Sequence, residues 1–216
     1  MADLDVSQGK LSYAVGFDLG TNLRQQREQG LDLDIEQVIQ AIRDVYQEAE
    51  PQVPREEIAT ILEQLNSEIQ DRRLTAYREL AEQNKDRSEE FLRENRGKDG
   101  VVALPSGVQY RVIESGDGAK PSLDDTVTVH YRGLTMDDVE FDSSFARGKP
   151  ETFKVNQVLQ GWQEVLPMMK EGASWQVFVP PEMAFGARGQ QPVGPNEAVQ
   201  FDLKLIGVGE PSGQGQ

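Results

Sequence analysis

A stretch of about 42 residues, 55–96, without proline or glycine most constrains what this chain can fold into. It is rich in Glu, Gln, Arg and Leu, which favour helices, and it lies between Pro54 and Gly97, residue types that interrupt helices. We therefore predict one continuous helix, roughly 60 Å long at 1.5 Å per residue.

Three segments of the N-terminal half are predicted to be helical, and two of them carry apolar residues at helical spacing. Residues 11–23 predict a helix that has small residues four positions apart on one face. This spacing either allows two helix backbones to approach closely or is incidental in a weak helix. A second helix is expected after Asp34, a favourable N-cap residue. The long helix is apolar mainly in its first third, so we expect that part to pack and the rest to run through solvent. The apolar stripes comprise Ile35, Val38, Ile39, Ile42, Val45 and Tyr46, then Ile58, Ile61, Leu62, Leu65 and Ile69.

Fewer than 100 residues precede Gly97, too few to cover these stripes within one copy of the chain. We therefore predict a homodimer built from residues 11–70, with the remainder of the long helix as a stalk. Residues 1–10 and 209–216 lack periodicity and are predicted to be frayed tails.

The period of the apolar pattern changes from 3.6 to 2 after Gly100. Val127, Val129 and Tyr131 share one face of a strand, and alternation recurs in later segments, which predicts an antiparallel sheet with one packed face. Residues 160–169 predict a short amphipathic helix whose last turn Pro167 would disturb. A lone helix on such a sheet is typical of an α+β half-barrel. The strands are expected at 108–114, 126–133, 152–155, 175–179 and 199–205.

Charge and composition exclude several classes of function. The formal net charge is -15 and both halves are acidic, which argues against nucleic acid and anionic membrane surfaces as partners. Cysteine is absent, and the single histidine, His130, is expected on the strand face opposite Tyr131. No apolar run approaches the ~20 residues of a membrane span. The first ten residues are acidic and polar, unlike a signal peptide.

The residues able to carry chemistry form an aromatic cluster around one carboxylate. Phe141 and Asp142 follow the strand that contains Tyr131, and Arg147 lies five residues after Asp142. An ion pair between Asp142 and Arg147 would keep a partly buried carboxylate ionised. Taken alone, the composition of the aromatic cluster favours an ordinary hydrophobic core over a binding pocket.

Motifs across residues 105–208 resemble the FKBP-type peptidyl-prolyl cis/trans isomerases: VHYRG, FDSSFARGKP, VLQGW, VPPEMAFG and GPNEAVQFDLKL occur in the family's order. The segments KLSYAVGFDLG and FLRENRGKDGVVALPSGVQY resemble the dimerisation and stalk region of Mip-like bacterial members. The resulting division is 1–53 dimerisation region, 54–97 long helix, 98–106 hinge, 107–208 isomerase domain and 209–216 disordered tail.

The resemblance implies a pocket with Trp162 as its floor, Asp142 and Arg147 as its polar corner, and the backbone N–H of Leu159 as a donor to a ligand carbonyl. Its catalytic residues would be Tyr131, Asp142, Trp162 and Phe185. Substrate would be bound by Phe141, Arg147, Phe153, Val158, Leu159, Val193 and Phe201. Phe185 departs from the family's common tyrosine, so we predict retained isomerase activity and weaker macrolide binding.

The function implied is isomerisation of X-Pro bonds in peptides and in unfolded or partly folded proteins, without cofactor or metal. Tacrolimus and rapamycin are the implied inhibitors. A chaperone or peptide-binding clamp with little catalysis is the alternative. Mip-like relatives are commonly exported, so a periplasmic or envelope location is favoured over a cytoplasmic one.

Overall fold

The computed structural model describes residues 7–28 and 30–209, and the chain divides into two units, Met1–Ser67 and Glu68–Gln216. Three helices cover its first half: α1 (Gln8–Glu28), α2 (Ile35–Tyr46) and α3 (Arg55–Arg96). The single long helix predicted over residues 55–96 is therefore confirmed. The tail predicted at 1–10 is wrong for residues 8–10, which are helical; its residues 1–6 and residues 210–216 lie outside the described residues.

Helix α2 begins at a side-chain cap. Asp34 caps α2 as predicted, because its Oδ1 accepts hydrogen bonds from the backbone N–H groups of Glu36 and Gln37 at 2.9 and 3.4 Å.

The N-terminal unit leaves its apolar residues uncovered. Neither α1 nor α2 has a buried residue in the described part of the chain. Val45 is 80% exposed, and a Cβ added at Gly16 or Gly20 would meet nothing within 4 Å.

The second unit contains a seven-stranded antiparallel sheet in the order β1-β2-β6-β7-β3-β4, and β5 also pairs with β3. The strands are β1 (Val101–Ala103), β2 (Gln109–Glu114), β3 (Thr126–Thr135), β4 (Glu140–Ser143), β5 (Glu151–Lys154), β6 (Ser174–Val179) and β7 (Val199–Val208).

Strands β1 and β4 were not predicted. Residues 101–103 were assigned to a hinge, but they pair with β2, with Val101 opposite Arg111. They are too short for alternation to reveal them, and glycines on either side favoured a loop.

The core lies between the sheet and one short helix, α4 (Gln160–Val165), as predicted. A Cβ at Gly161 would lie 2.5 Å from Val179 Cγ1, so α4 sits close against β6. A 3₁₀ turn, Leu166–Met168, replaces the last helical turn at Pro167. Val165 and Leu166 are fully buried. The α+β half-barrel is thus confirmed.

Helix α3 packs against the sheet domain within the second unit, so the expectation that it runs through solvent beyond its first third is wrong. Asn84, Ser88 and Asn95 are at most 4% exposed. Phe91 approaches Phe178, with ring centroids 6.1 Å apart. The packed side of the helix is largely polar, so an analysis of apolar periodicity could not detect it.

Candidate active site

A cavity of about 610 Å³ opens in the second unit beside α4. Its walls come from β3, β4, β5, β7, α4 and the loops before α4 and β7, and its volume suits a drug-sized ligand. It is lined by Tyr131, Phe141, Asp142, Phe153, Gln157, Val158, Leu159, Trp162, Phe185, Gln190, Gln191, Pro192 and Phe201.

Aromatic rings form the floor of the cavity. Trp162 is 4% exposed, and the rings of Tyr131 and Phe201 meet it edge to face, with centroids 5.2 and 5.1 Å away. Phe153 meets the same indole at 6.3 Å, again close to perpendicular. Such edge-to-face pairs add to the free energy gained by burial and hold the rings in fixed orientations. The floor is therefore a preformed apolar surface.

Phe141 joins this floor to the outer wall. Its ring lies edge to face with both Phe185 and Phe201, at 5.7 Å in each case. A Cβ at Gly133 would lie 2.6 Å from the Phe141 ring, so only glycine leaves room for it. This role of Gly133 was not predicted, because a glycine within a strand does not reveal which ring packs over it.

A polar corner interrupts the aromatic wall. Tyr131 Oη donates to Asp142 Oδ2 at 2.7 Å, and Arg147 Nη1 donates to Asp142 Oδ1 at 2.5 Å. Arg147 Nη2 also donates to Tyr131 Oη at 2.7 Å, and its Nε donates to Glu151 Oε1 at 2.6 Å. The ion pair expected between Asp142 and Arg147 is present, with Glu151 as a second carboxylate partner.

The charges at this corner are fixed at neutral pH. Burial, together with the hydrogen bond to Asp142, raises the pKa of Tyr131 to about 12. Burial opposes ionisation of Asp142, but hydrogen bonds from Arg147 and Tyr131 outweigh it and lower the pKa of this carboxyl. The hydrogen bond to Asp142 raises the pKa of Arg147. A neutral phenol therefore lies beside an intact ion pair, and none of the three groups exchanges protons near neutrality.

The backbone at Leu159 offers a hydrogen-bond donor at the cavity. Leu159 is the N-cap residue of α4, and its carbonyl accepts from the N–H groups of Trp162 and Gln163 at 2.9 and 3.0 Å. Its own N–H donates to no acceptor among the described residues. The residue is partly exposed and lines the cavity, so this N–H can serve a bound carbonyl.

The structure brings nine of the eleven residues of the predicted site to the cavity wall. Arg147 is not a lining residue but bonds to two of them, Tyr131 and Asp142. Val193 is 2% exposed and belongs to the core behind the wall. His130 is outside the cavity, where its ring stacks on Phe145 at 4.5 Å.

Four lining residues, Gln157, Gln190, Gln191 and Pro192, were not assigned from the sequence. Three of them belong to the Gly- and Pro-rich loop of residues 186–196, which the family resemblance places over the pocket, in contact with the residues that flank the substrate proline. Their alignment with the cavity depends on backbone turns and tertiary contacts, for which the sequence carries no periodic signal.

The side chains at the cavity wall are mostly aromatic and aliphatic. Its described lining residues include no Ser, Cys, His or Lys, so they contain no Ser–His or Cys–His pair of the kind used for acyl transfer. Among the residues that the structure describes, no three His, Cys, Asp or Glu side chains are grouped to hold a metal ion. In the same residues, no helix is long and apolar enough to cross a membrane.

Comparison with known proteins assigns both halves of the chain. Residues 8–112 match the family described as the domain amino terminal to FKBP-type peptidyl-prolyl isomerase, and residues 118–206 match FKBP-type peptidyl-prolyl cis-trans isomerase. The chain therefore belongs to the FKBP-type peptidyl-prolyl cis/trans isomerases, as a Mip-like member with an N-terminal helical region.

Individual relatives extend over nearly the whole chain. The outer membrane protein MIP of Legionella longbeachae is 40% identical over 95% of this chain and 87% of its own length. The peptidyl-prolyl cis-trans isomerase Mip of Coxiella burnetii is 38% identical over 95% and 88%. The crystal structure of FkpA from Escherichia coli, 30% identical, superimposes with a TM-score of 0.77 over 95% of this chain and 98% of that one. The protein is thus an FKBP-type isomerase.

Proposed function

We propose that this isomerase rotates X-Pro bonds of protein substrates by surrounding the bond with the aromatic floor of its cavity. Rotation abolishes amide resonance and faces a barrier of about 18–20 kcal/mol. The twisted amide is less polar than the planar one, so an apolar, water-poor surface favours it. The observation that carries the proposal is the set of three rings held edge to face around Trp162.

The backbone N–H of Leu159 and the side chains of the polar corner have roles in this mechanism. The free N–H of Leu159 receives a substrate carbonyl, and Asp142 orients or polarises the carbonyl that precedes proline. Arg147 keeps Asp142 ionised and in place. Tyr131, Asp142, Trp162 and Phe185 act on the rotating bond, whereas Phe141, Phe153, Val158 and Phe201 hold the flanking residues. Val193 supports this wall from the core.

The test compares two buried tryptophans. Trp162→Leu removes the floor of the cavity, whereas Trp175→Leu removes a 7% exposed indole that stacks on Tyr110 away from the cavity. For a proline tetrapeptide, we expect Trp162→Leu to lower kcat/KM at least about tenfold while Trp175→Leu stays within about twofold. Activity is compared well below each variant's Tm. Equal losses of kcat/KM in the two variants would contradict the assignment of this cavity as the substrate site.

A homodimer formed through the N-terminal unit is part of the proposal. The exposed apolar residues of α1 and α2 need a covering surface, and a second copy supplies one with the same stripes. The mass in solution at low concentration tests this directly. A monomer would contradict it.

Apolar residues of the first unit that the second copy leaves uncovered favour a second function, a chaperone that holds unfolded chains. The two functions separate by assay: Trp162→Leu would abolish peptide isomerisation while leaving suppression of aggregation intact. Loss of both activities in this variant, at unchanged stability, would reject an independent chaperone surface.

Ligands and location complete the proposal. Tacrolimus and rapamycin would occupy the cavity and compete with proline peptides. The name of the Legionella longbeachae relative, outer membrane protein MIP, supports an envelope location for this chain. Detection of the native protein in cytoplasmic fractions alone would contradict that location.

A further inference from the structure

The loop of residues 186–198 brings three lining residues to the cavity at its tip: Gln190, Gln191 and Pro192. Within the loop, Gln190 and Val193 exchange backbone hydrogen bonds of 2.9 and 2.8 Å, so the tip is a tight turn. The N–H of Asn196 donates to the carbonyl of Gly186 at 3.0 Å and closes the base. The position of the tip therefore depends on the contacts that hold the two ends of this base, near Gly186 and Asn196.

Two buried side chains of α3 bind one end of that base. Asn84 Nδ2 donates to the carbonyl of Pro195 at 3.0 Å, and Asn84 is 4% exposed. Ser88 Oγ donates to the carbonyl of Asn196 at 2.9 Å and accepts from the N–H of Ala198 at 2.8 Å, and Ser88 is 1% exposed. Three backbone groups of the loop thus find their partners on a helix that precedes the isomerase domain in sequence.

Further hydrogen bonds join α3 to the loop of residues 186–198. Tyr77 Oη donates to the carbonyl of Ala187 at the other end of the base, and Asn196 Nδ2 donates to the carbonyl of Ala81 at 3.3 Å. Gly194 permits the close approach, because a Cβ there would lie 2.5 Å from Asn84 Nδ2. Both ends of the loop are hydrogen-bonded to α3.

Loss of these bonds would move the loop rather than unfold the domain. Buried carbonyls that lose a donor must find another partner or reach water, and a surface loop can shift to do so. Displacement of residues that position a substrate lowers the rate even when the reacting groups are intact. Because the tip contributes side chains to the wall and none to the aromatic floor, its displacement weakens binding more than it slows rotation.

We propose that Asn84 and Ser88 are positioning residues of this isomerase, which hold the loop of residues 186–198 so that its tip forms one wall of the substrate cavity. The proposal rests on the cavity being the substrate site. It assigns to α3 a part in substrate binding in addition to its place between the two halves of the chain.

The chain offers a matched control in Asn95. This asparagine is also on α3, is 1% exposed, and donates through Nδ2 at 3.0 Å, but its acceptor is Gln109 of β2 rather than the loop. Asn84→Ala, Ser88→Ala and Asn95→Ala are made in the full chain. Tyr77→Phe is added because it removes a single hydroxyl from an exposed ring and keeps the fold.

Steady-state kinetics with a proline tetrapeptide separate positioning from stability. A displaced loop raises KM and leaves kcat nearly unchanged, whereas partial unfolding lowers apparent kcat at constant KM. We expect KM to rise about tenfold in Asn84→Ala and Ser88→Ala and about twofold in Tyr77→Phe, with Asn95→Ala unchanged. Amide hydrogen exchange at Gln190 and Val193 should accelerate in Asn84→Ala and not in Asn95→Ala.

Two results would overturn the positioning role. One is an equal KM in Asn84→Ala, Tyr77→Phe and Asn95→Ala. The other is unchanged exchange at the loop tip in Asn84→Ala. Trp162→Leu, measured in parallel, keeps the two proposals apart: if it retains full activity, the cavity itself is wrongly assigned, whereas if it loses activity and Asn84→Ala does not, only the positioning role fails.

Discussion

The two units of this chain differ in the burial of their apolar side chains: those of the second unit form a buried core, and those of helices α1 and α2 in the first are largely exposed. In the second unit, Leu166, Met169, Leu203 and Leu205 are at most 1% exposed, all within one core formed by one chain. In the first, helix α2 has a helical apolar stripe, and neither α1 nor α2 has a buried residue in the described segments. Periodicity thus identifies a face that requires a partner, and only the fold shows whether the same chain provides it.

The largest expected change is a loss of stability when a core residue of the second unit is truncated. Leu166→Ala removes a fully buried side chain from beside α4 and should lower the free energy of unfolding by about 2–5 kcal/mol. Val45→Ala, at an 80% exposed position of α2, should leave this transition within about 0.5 kcal/mol. Both tryptophans, Trp162 and Trp175, belong to the second unit, so fluorescence in a urea titration reports its unfolding. Similar shifts in both variants would remove the distinction between the units.

The next effect tests whether a second copy covers the first unit. Ile39 and Ile42 are 42% and 49% exposed on the stripe of α2. Replacing both with glutamate would bury charge in a dimer interface. We therefore expect the dissociation constant of the dimer to rise at least about 100-fold relative to the wild type.

Analytical ultracentrifugation measures this change, with Gln37→Glu as a control that adds a charge to the same helix. Isomerisation of a short peptide should remain unchanged in both variants, because the cavity lies in the other unit. An unchanged dimer in the Ile39→Glu, Ile42→Glu protein would contradict an interface on this stripe.

The two units also differ in how much of them the sequence predicted. The bounds of α3 followed from proline and glycine positions, and the cap at Asp34 from its side chain, because these signals are local. In the second unit, alternation and motifs identified the sheet, Trp162 and Asp142. The docking of α3 through Asn84 and Ser88 was missed, because buried polar contacts between distant segments leave no apolar period.

A smaller effect should follow from the polar corner of the cavity. Asp142→Asn keeps the shape of the side chain but removes its charge and its ion pair with Arg147, and we expect kcat/KM to fall about tenfold. An activity equal to the wild type would show that the carboxylate charge plays no part in catalysis. His130→Ala, outside the cavity, is the control and should keep full activity.

The pH profile of the wild type follows from the same corner. The pKa of Asp142 is lowered, so its ionised form and the stability it contributes are complete above the ordinary value of ~3.9 and are lost only as pH falls through the lower folded value. The pKa of Tyr131 is raised to about 12, so the contribution of its neutral phenol is complete below its ordinary value of ~10 and is lost as pH rises through about 12. We therefore expect kcat/KM to be flat from about pH 5 to 8. A bend within this range of pH would contradict the expectation.

The smallest effect concerns Phe185, at the outer wall of the cavity. Its ring packs edge to face with Phe141 at 5.7 Å, so Phe185→Tyr preserves the apolar wall and adds a hydroxyl able to donate to a ligand carbonyl. One such hydrogen bond contributes about 0.5–1.5 kcal/mol, which corresponds to roughly 2- to 12-fold tighter binding of tacrolimus. Isothermal titration calorimetry measures the change, and Phe185→Leu, which lacks both ring and hydroxyl, should bind more weakly than the wild type. Equal affinities of the wild type and the Phe185→Tyr variant would show that the missing hydroxyl does not limit macrolide binding, and that the wall acts through its apolar surface alone.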